Sequence, residues 1–249
     1  MCHSEDSQPP AAPHRGQVAE HGALELTASD GTVFSAYQAV PAEPNGKSVV
    51  ILPDVRGVHP YYRELVQRFA EAGFTTVAID YYGRTEGTGT RDDSFDWQKY
   101  FPQLEASEIA LDVAAAADHL REVAPGPVFS VGFCFGGSQS WRLSASDLGL
   151  AGVIGFYGQP KLVEDVIGEF SAPLLLLIAG ADVATTQVEF EEFAGKLEAS
   201  GKTYEMNVYD NAPHSFFDRA FGEWAEACDD VWKRVLDFTE RHGAPLPVA

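Results

Sequence analysis

A chain of 249 residues, 45% hydrophobic and 12% aromatic, suits one large α/β domain that buries a core without a disulfide or metal staple. Its 37 acidic against 17 basic residues leave a formal charge of −20, which repels phosphate backbones and anionic lipid and so disfavours nucleic acid and membrane partners. Three cysteines, Cys2, Cys134 and Cys228, are too few for a disulfide framework and fit a reducing cytoplasm.

In chain order, residues 1–20 are rich in Pro, Ser, His and charge without periodicity, and predict a mobile tail ahead of a single domain over 21–249. "ALELTA" and "VFSAYQAV" read as a strand pair around the turn "SDGT". "KSVVILP" reads as a buried strand. "YYRELVQRFAEAG" places Leu65, Val66, Phe69 and Ala70 at helical spacing and stops on Gly73. "FTTVAIDYYG" is a further strand, and 83–103 is the longest irregular stretch, a candidate pocket wall or lid. "LEASEIALDVAAAADHLREV" is a long amphipathic helix ending before "APGP". "PVFSVGF", "AGVIGFYG", "APLLLLIAG" and "KTYEMNVYD" are strands, with helical patterns near 187–199 and 217–242. The run "PLLLLIAG" is too short to cross a bilayer. Strands alternating with helices predict a mostly parallel central sheet covered by helices on both faces.

"GFCFG" at 132–136 sits where a strand meets a helix. A sharp turn there needs small residues two before and two after its centre, lifts the central side chain above the sheet and points the next amide at a substrate oxygen. Cys134 is therefore a candidate nucleophile, and Phe135 a candidate oxyanion donor; the alternative is a small core cysteine. An acid and then a histidine are expected on loops after later strands. Asp182 in "LLLLIAGADVATT" and His214 in "YEMNVYDNAPHSFF" stand in that order. A turn aspartate and a surface histidine are their plainer readings. His214 would take the thiol proton, and Asp182 would hold the imidazole.

With "LPDVRGVHPYYRELVQRFAEAGFTTVAIDYYGR", "VGFCFGG", "AGADVATT" and "APHSFFDR" together, the chain resembles the dienelactone hydrolase family from about residue 24 to 240. The resemblance implies the α/β-hydrolase fold, with Cys134, Asp182 and His214 as the triad. It also implies an acid after the third strand that helps switch the thiol into its reactive state. That acid is Asp54 here, one methylene shorter than the family's usual glutamate. Val55 becomes the second oxyanion donor. The family's best-known reaction opens a carboxylated dienelactone to maleylacetate, its carboxylate anchored by arginines. Arg84 matches one of these; the second falls on Asp218, with Arg219 beside it. Arg56 is a substitute anchor, and Tyr82 and Phe216, with Tyr81, Phe135 and Trp97, are candidate apolar walls.

The expected protein is a cytoplasmic hydrolase of a small lactone or activated ester, working through an acyl-enzyme without metal or cofactor, as a monomer or small homo-oligomer. One rival keeps the fold but needs no carboxylate on the substrate, as in a promiscuous short-chain esterase or lactonase; Asp218 favours it. Another makes Cys134 a redox-sensing thiol, with Cys228 a distant resolving candidate. A third, a non-catalytic interaction protein, has only the acidity in its favour.

Overall fold

The computed structural model describes residues 7–218 and 222–243. Its elements, in order, are β1 (Val18–Thr27), β2 (Val33–Pro41), β3 (Ser48–Leu52), α1 (Pro60–Glu71), β4 (Thr75–Ile79), α2 (Gly83–Glu86), α3 (Trp97–Tyr100), α4 (Ala106–Val123), β5 (Val128–Phe133), α5 (Phe135–Arg142), β6 (Gly152–Phe156), β7 (Leu174–Ala179), α6 (Gln187–Ala199), β8 (Tyr204–Tyr209) and α7 (Ala225–His242). They build one eight-stranded sheet in the order β1-β2-β4-β3-β5-β6-β7-β8. β1 and β2 pair antiparallel, β2 meets β4 antiparallel, and every other pairing is parallel.

The five central strands, β3 to β7, are buried along their whole length, as parallel strands covered on both faces must be. Their period of two divides them between two cores. Val49, Ile51, Val131, Phe133, Ile154, Leu175 and Leu177 face α1 and α7. Val50, Leu52, Val153, Leu174, Leu176 and Ile178 face α4, α6 and Trp141 of α5. Helix boundaries follow local chemistry. Pro60 opens α1, where its missing N–H costs nothing, and Gly73 (φ 93°) turns the chain out of it. Thr186 and Glu189 form a reciprocal capping box at the start of α6.

From β3 the chain passes to β4 on one side, then returns to β5 on the other. That reversal opens a crevice at the carboxyl ends of β3 and β5, where open α/β sheets place their ligands. The loop after β3 carries Asp54 and Val55; the turn after β5 carries Cys134.

Three expectations change. The first concerns the tail over 1–20. Residues 1–6 lie outside the described residues, but β1 begins at Val18, and Ser7, Pro9, Pro10 and Ala12 are buried. Gln8 N–H donates to Asp218 Oδ1 (2.8 Å), Trp232 Nε1–H to Pro10 carbonyl (3.2 Å), and Gly16 N–H to Glu71 carbonyl (2.7 Å). Prolines and an alanine are buried here without any periodicity, so the sequence pattern hides the segment's place in the fold. The second concerns 83–103, which holds α2, α3 and a 3-10 turn at Phe101–Gln103 rather than being irregular throughout. The third concerns the helix expected over 217–242. α7 starts at Ala225 after a 3-10 turn at Gly222–Trp224; 217 and 218 belong to the histidine loop, and 219–221 fall outside the described residues.

Candidate active site

At Cys134 the backbone takes φ 56° and ψ −118°, a strained conformation for a residue with a side chain. Such strain is typically worth about 1–3 kcal/mol and persists only where the surroundings impose it. Here close packing imposes it. A Cβ on Gly132 would stand 1.8 Å from the Gly136 carbonyl oxygen, and one on Gly136 would stand 2.1 Å from that of Leu52. Only glycine lets β5, α5 and the end of β3 approach this closely. Cys134 N–H donates to Phe156 carbonyl (3.0 Å), which ties the turn to β6. Cys134 is partly exposed and stands at the amino end of α5, where the helix dipole favours negative charge.

The loops after β7 and β8 are stitched together. Gly180 N–H donates to Tyr209 carbonyl and Ala181 N–H to Ala212 carbonyl, both at 2.9 Å. These bonds bring Asp182 beside His214, with Oδ2 and Nδ1 2.7 Å apart. Asp182 Oδ1 accepts from Ala184 N–H (2.8 Å). The Asp182 carboxylate is inaccessible and the His214 ring nearly so, which strengthens their bond. An ionised carboxylate only accepts, so Nδ1 carries the proton and Nε2 carries the lone pair. The Tyr157 ring lies 4.8 Å from the imidazole, centroid to centroid. Tyr157 escaped the sequence reading; its place at the end of β6 was the available signal.

The turn after β3 is dense with hydrogen bonds. Asp54 is wholly buried, and its carboxylate accepts from the Arg56 backbone N–H (2.9 Å), Nε (3.1 Å) and Nη2 (2.8 Å). His59 Nε2 sits 3.5 Å from Asp54 Oδ2 without hydrogen-bond alignment. Burial alone would raise the Asp54 carboxyl; His59 and Arg56 outweigh it and hold the group far below the usual range. Burial lowers His59, against the pull of Asp54. Val55, like Phe135, has a backbone N–H that donates to no acceptor among the described residues.

The remaining expected site residues are placed differently. Arg84 does not stand free: Nη1 contacts both Asp112 oxygens at 2.7 Å, while Nε and Nη2 reach Asp30 Oδ2 at 3.2 and 2.9 Å. Its guanidinium is therefore already matched by two carboxylates of its own chain. Asp218 is fully buried under the amino-terminal segment. Arg219 lies outside the described residues. Tyr82 and Phe216 are completely inaccessible, so they pack the interior and do not line an open pocket. The Phe135 ring instead meets Tyr81 (5.6 Å) and Phe101 (5.0 Å) edge-on, which brings the 83–103 segment over the elbow. That segment is pinned by Arg91, 4% exposed, which pairs with buried Asp80 (2.9 Å) and lies over Phe95. Nothing in the sequence around Arg91 marked this pair. A cavity of about 750 Å³ lined by Gly126, Pro127, Leu150 and Pro173 lies at the opposite, amino end of the strands. No group of three or more His, Cys, Asp and Glu that could hold a metal ion occurs among the described residues, and no described helix is long and apolar enough to cross a membrane.

The strand order, the strained turn after β5 and the acid and histidine after β7 and β8 define an α/β-hydrolase fold. The profile of the dienelactone hydrolase family matches residues 34–243, and the chain belongs to that family of hydrolases acting on esters or lactones. An Escherichia coli K12 protein assigned as a carboxymethylenebutenolidase is 28% identical over 233 residues, covering 86% of this chain and 85% of the relative. A crystal structure from Klebsiella pneumoniae, assigned as a dienelactone hydrolase, superposes with a TM-score of 0.76 at 26% identity, covering 89% of this chain and 99% of the other. A Pyrococcus furiosus esterase shares the fold, with a TM-score of 0.67 at 17% identity, over 94% and 98% of the two chains.

Proposed function

We propose that the protein hydrolyses a small lactone or activated ester through a thioester on Cys134. The observation that carries this reading is the Asp182–His214 hydrogen bond of 2.7 Å, on loops at the same sheet end as the strained cysteine turn. His214 Nε2 takes the Sγ proton, and the thiolate attacks the carbonyl carbon. The N–H groups of Val55 and Phe135 hold the resulting oxyanion; one such donor is typically worth about 10²–10³ in rate. Collapse breaks the C–O bond, and the imidazolium returns its proton to the leaving oxygen, which stays tethered if the substrate is a lactone. Water, deprotonated by His214, then attacks the thioester and the thiol leaves. Asp182 keeps Nδ1 protonated and stabilises the imidazolium. An amide adduct would expel the thiol instead of the amine, so esters and lactones are the natural substrates. A reducing, cytoplasmic setting suits this thiol chemistry.

A reading without a substrate carboxylate, a short-chain esterase or lactonase, gains support over the dienelactone-to-maleylacetate reaction. Arg84 and Arg56 already face Asp30, Asp112 and Asp54, so neither offers an unmatched charge to an anionic substrate. A redox role for Cys134 loses support, because Cys228 is a poor resolving thiol. It is 3% exposed, and burial pushes it up to about 12. The test is turnover of p-nitrophenyl acetate and of lactones with and without a carboxylate. Cys134→Ala is expected to lose ~10³-fold or more. A Cys134→Ala enzyme as fast as the parent overturns the nucleophile, and a strong preference for the carboxylated lactone overturns the neutral-substrate reading.

A further inference from the structure

The segment 53–57 holds almost every backbone group in a fixed bond. Tyr81 hydroxyl donates to Pro53 carbonyl (2.7 Å), Asp54 N–H to Tyr62 Oη (3.0 Å), and Tyr82 hydroxyl to Val55 carbonyl. Gly57 N–H donates to Asp54 carbonyl (3.2 Å), and Gly57, at φ 76°, closes the turn. His59 N–H donates to Gly57 carbonyl (2.8 Å). Against that background Val55 N–H stands out as a donor with no acceptor among the described residues.

The residues on either side of Val55 are joined to each other. Asp54 and Arg56 close a two-point fork, Nε to Oδ1 and Nη2 to Oδ2, while Oδ1 also takes the Arg56 N–H. A bidentate pair fixes orientation as well as distance. The Val55 peptide therefore sits inside a ring closed by an ion pair, with tyrosine hydroxyls on its outer edge. An ionised carboxylate has about four lone-pair directions. Arg56 takes three of those on Asp54, and His59 stands against the remaining edge.

We propose that Asp54 is a positioning residue for the oxyanion hole: with Arg56 it fixes the Val55 N–H, and it does not govern ionisation of the Cys134 thiol. The side chain one methylene shorter than glutamate is bound back onto its own turn. This assignment rests on reading Cys134 as the nucleophile. Asp54→Asn puts an amide against the Arg56 fork and breaks its second arm; Arg56→Ala removes the fork from the other side, at a partly exposed position where folding survives more readily.

Both variants are expected to lower kcat for p-nitrophenyl acetate about 10- to 100-fold with KM nearly unchanged, because the oxyanion exists only in the transition state. The double variant should be no slower than the worse single one, as members of one unit are non-additive. The rate of Cys134 alkylation by iodoacetamide should follow the same pH profile in all of them. A displaced alkylation profile in Asp54→Asn would transfer the residue to control of the thiol and overturn the proposal, as would an unchanged kcat in both single variants. Full turnover in Cys134→Ala would instead overturn the nucleophile, an outcome read in a different variant.

Discussion

Gly136 lies so close to Leu52 that a methyl group added to it would sit 2.1 Å from the Leu52 carbonyl oxygen and 2.2 Å from that of Pro53. Both obstacles are backbone and belong to the strand end from which the Val55 turn departs. Gly136→Ala must therefore push β3 and α5 apart, at a cost of about 1–3 kcal/mol or more. It should also lower kcat, because the two proposed oxyanion donors, Val55 and Phe135, sit on the parts that separate. Gly168, where an added methyl meets nothing within 4 Å, is the control. Gly168→Ala should leave esterase rate and melting temperature near those of the parent. A Gly136→Ala enzyme with the parent's rate and melting temperature would contradict the packing of the elbow.

Arg84 carries a second expectation, concerning stability and pH. Asp112 is 1% exposed, and burial raises its carboxyl to about 6 despite Arg84, with a further upward push from Asp30 and Glu108. Unfolded, the group titrates near 3.9. The folded state thus binds a proton more readily between about pH 4 and 6, so this group's contribution to stability falls as pH rises through that window. Arg84→Ala removes the main opposing charge and extends the loss to higher pH. Breaking a buried pair typically costs about 3–5 kcal/mol. The variant should lose clearly more stability at pH 7.5 than at pH 5, measured by urea unfolding at both. Its kcat/KM should fall alike for neutral and carboxylated esters; a loss confined to carboxylated ones would restore Arg84 as a substrate anchor.

These two cases mark what could be read from the chain and what could not. The buried strands were legible because runs such as "LLLLIA" are long enough to specify both faces of a parallel strand. The order Cys134, Asp182, His214 was legible because it follows the topology: each residue lies just past a strand, and the sheet fixes which strand ends are neighbours. The ion pairing of Arg84 is not legible because its partners, Asp30 and Asp112, lie 54 and 28 residues away and meet it only once α4 packs on the sheet. Tyr81 and Tyr82 read as apolar walls because residue type does not say where a hydroxyl reaches; both end on carbonyls of the Val55 turn. The family resemblance makes Asp54 a partner of the thiol. Its engagement with Arg56 is a local i to i+2 contact, the one part of that cluster that spacing alone could have suggested.

The amino-terminal segment links stability to the histidine loop. Gln8 N–H donates to Asp218 Oδ1, and Asp218 follows His214 by four residues on the same loop. Pro10 accepts from Trp232, whose ring is 1% exposed and packs on Phe69 and Phe217. Deleting residues 1–13 would remove two hydrogen bonds, one of them to a carboxylate, together worth about 2–4 kcal/mol net. It would also uncover the apolar surface beneath Pro9, Pro10 and Ala12. A total near 3 kcal/mol corresponds to a fall in melting temperature of about 6–12 °C for a domain of this size. Tryptophan emission should shift to the red as water reaches Trp232. The rate should fall as well, by a modest factor of about 3–10, because the loop that aims His214 loses one of its ties while Asp182 still holds the ring. A truncated enzyme with the parent's melting temperature and emission would mean that the segment contributes no binding energy to the body. One destabilised as expected but equally fast would mean that Asp182 alone positions His214.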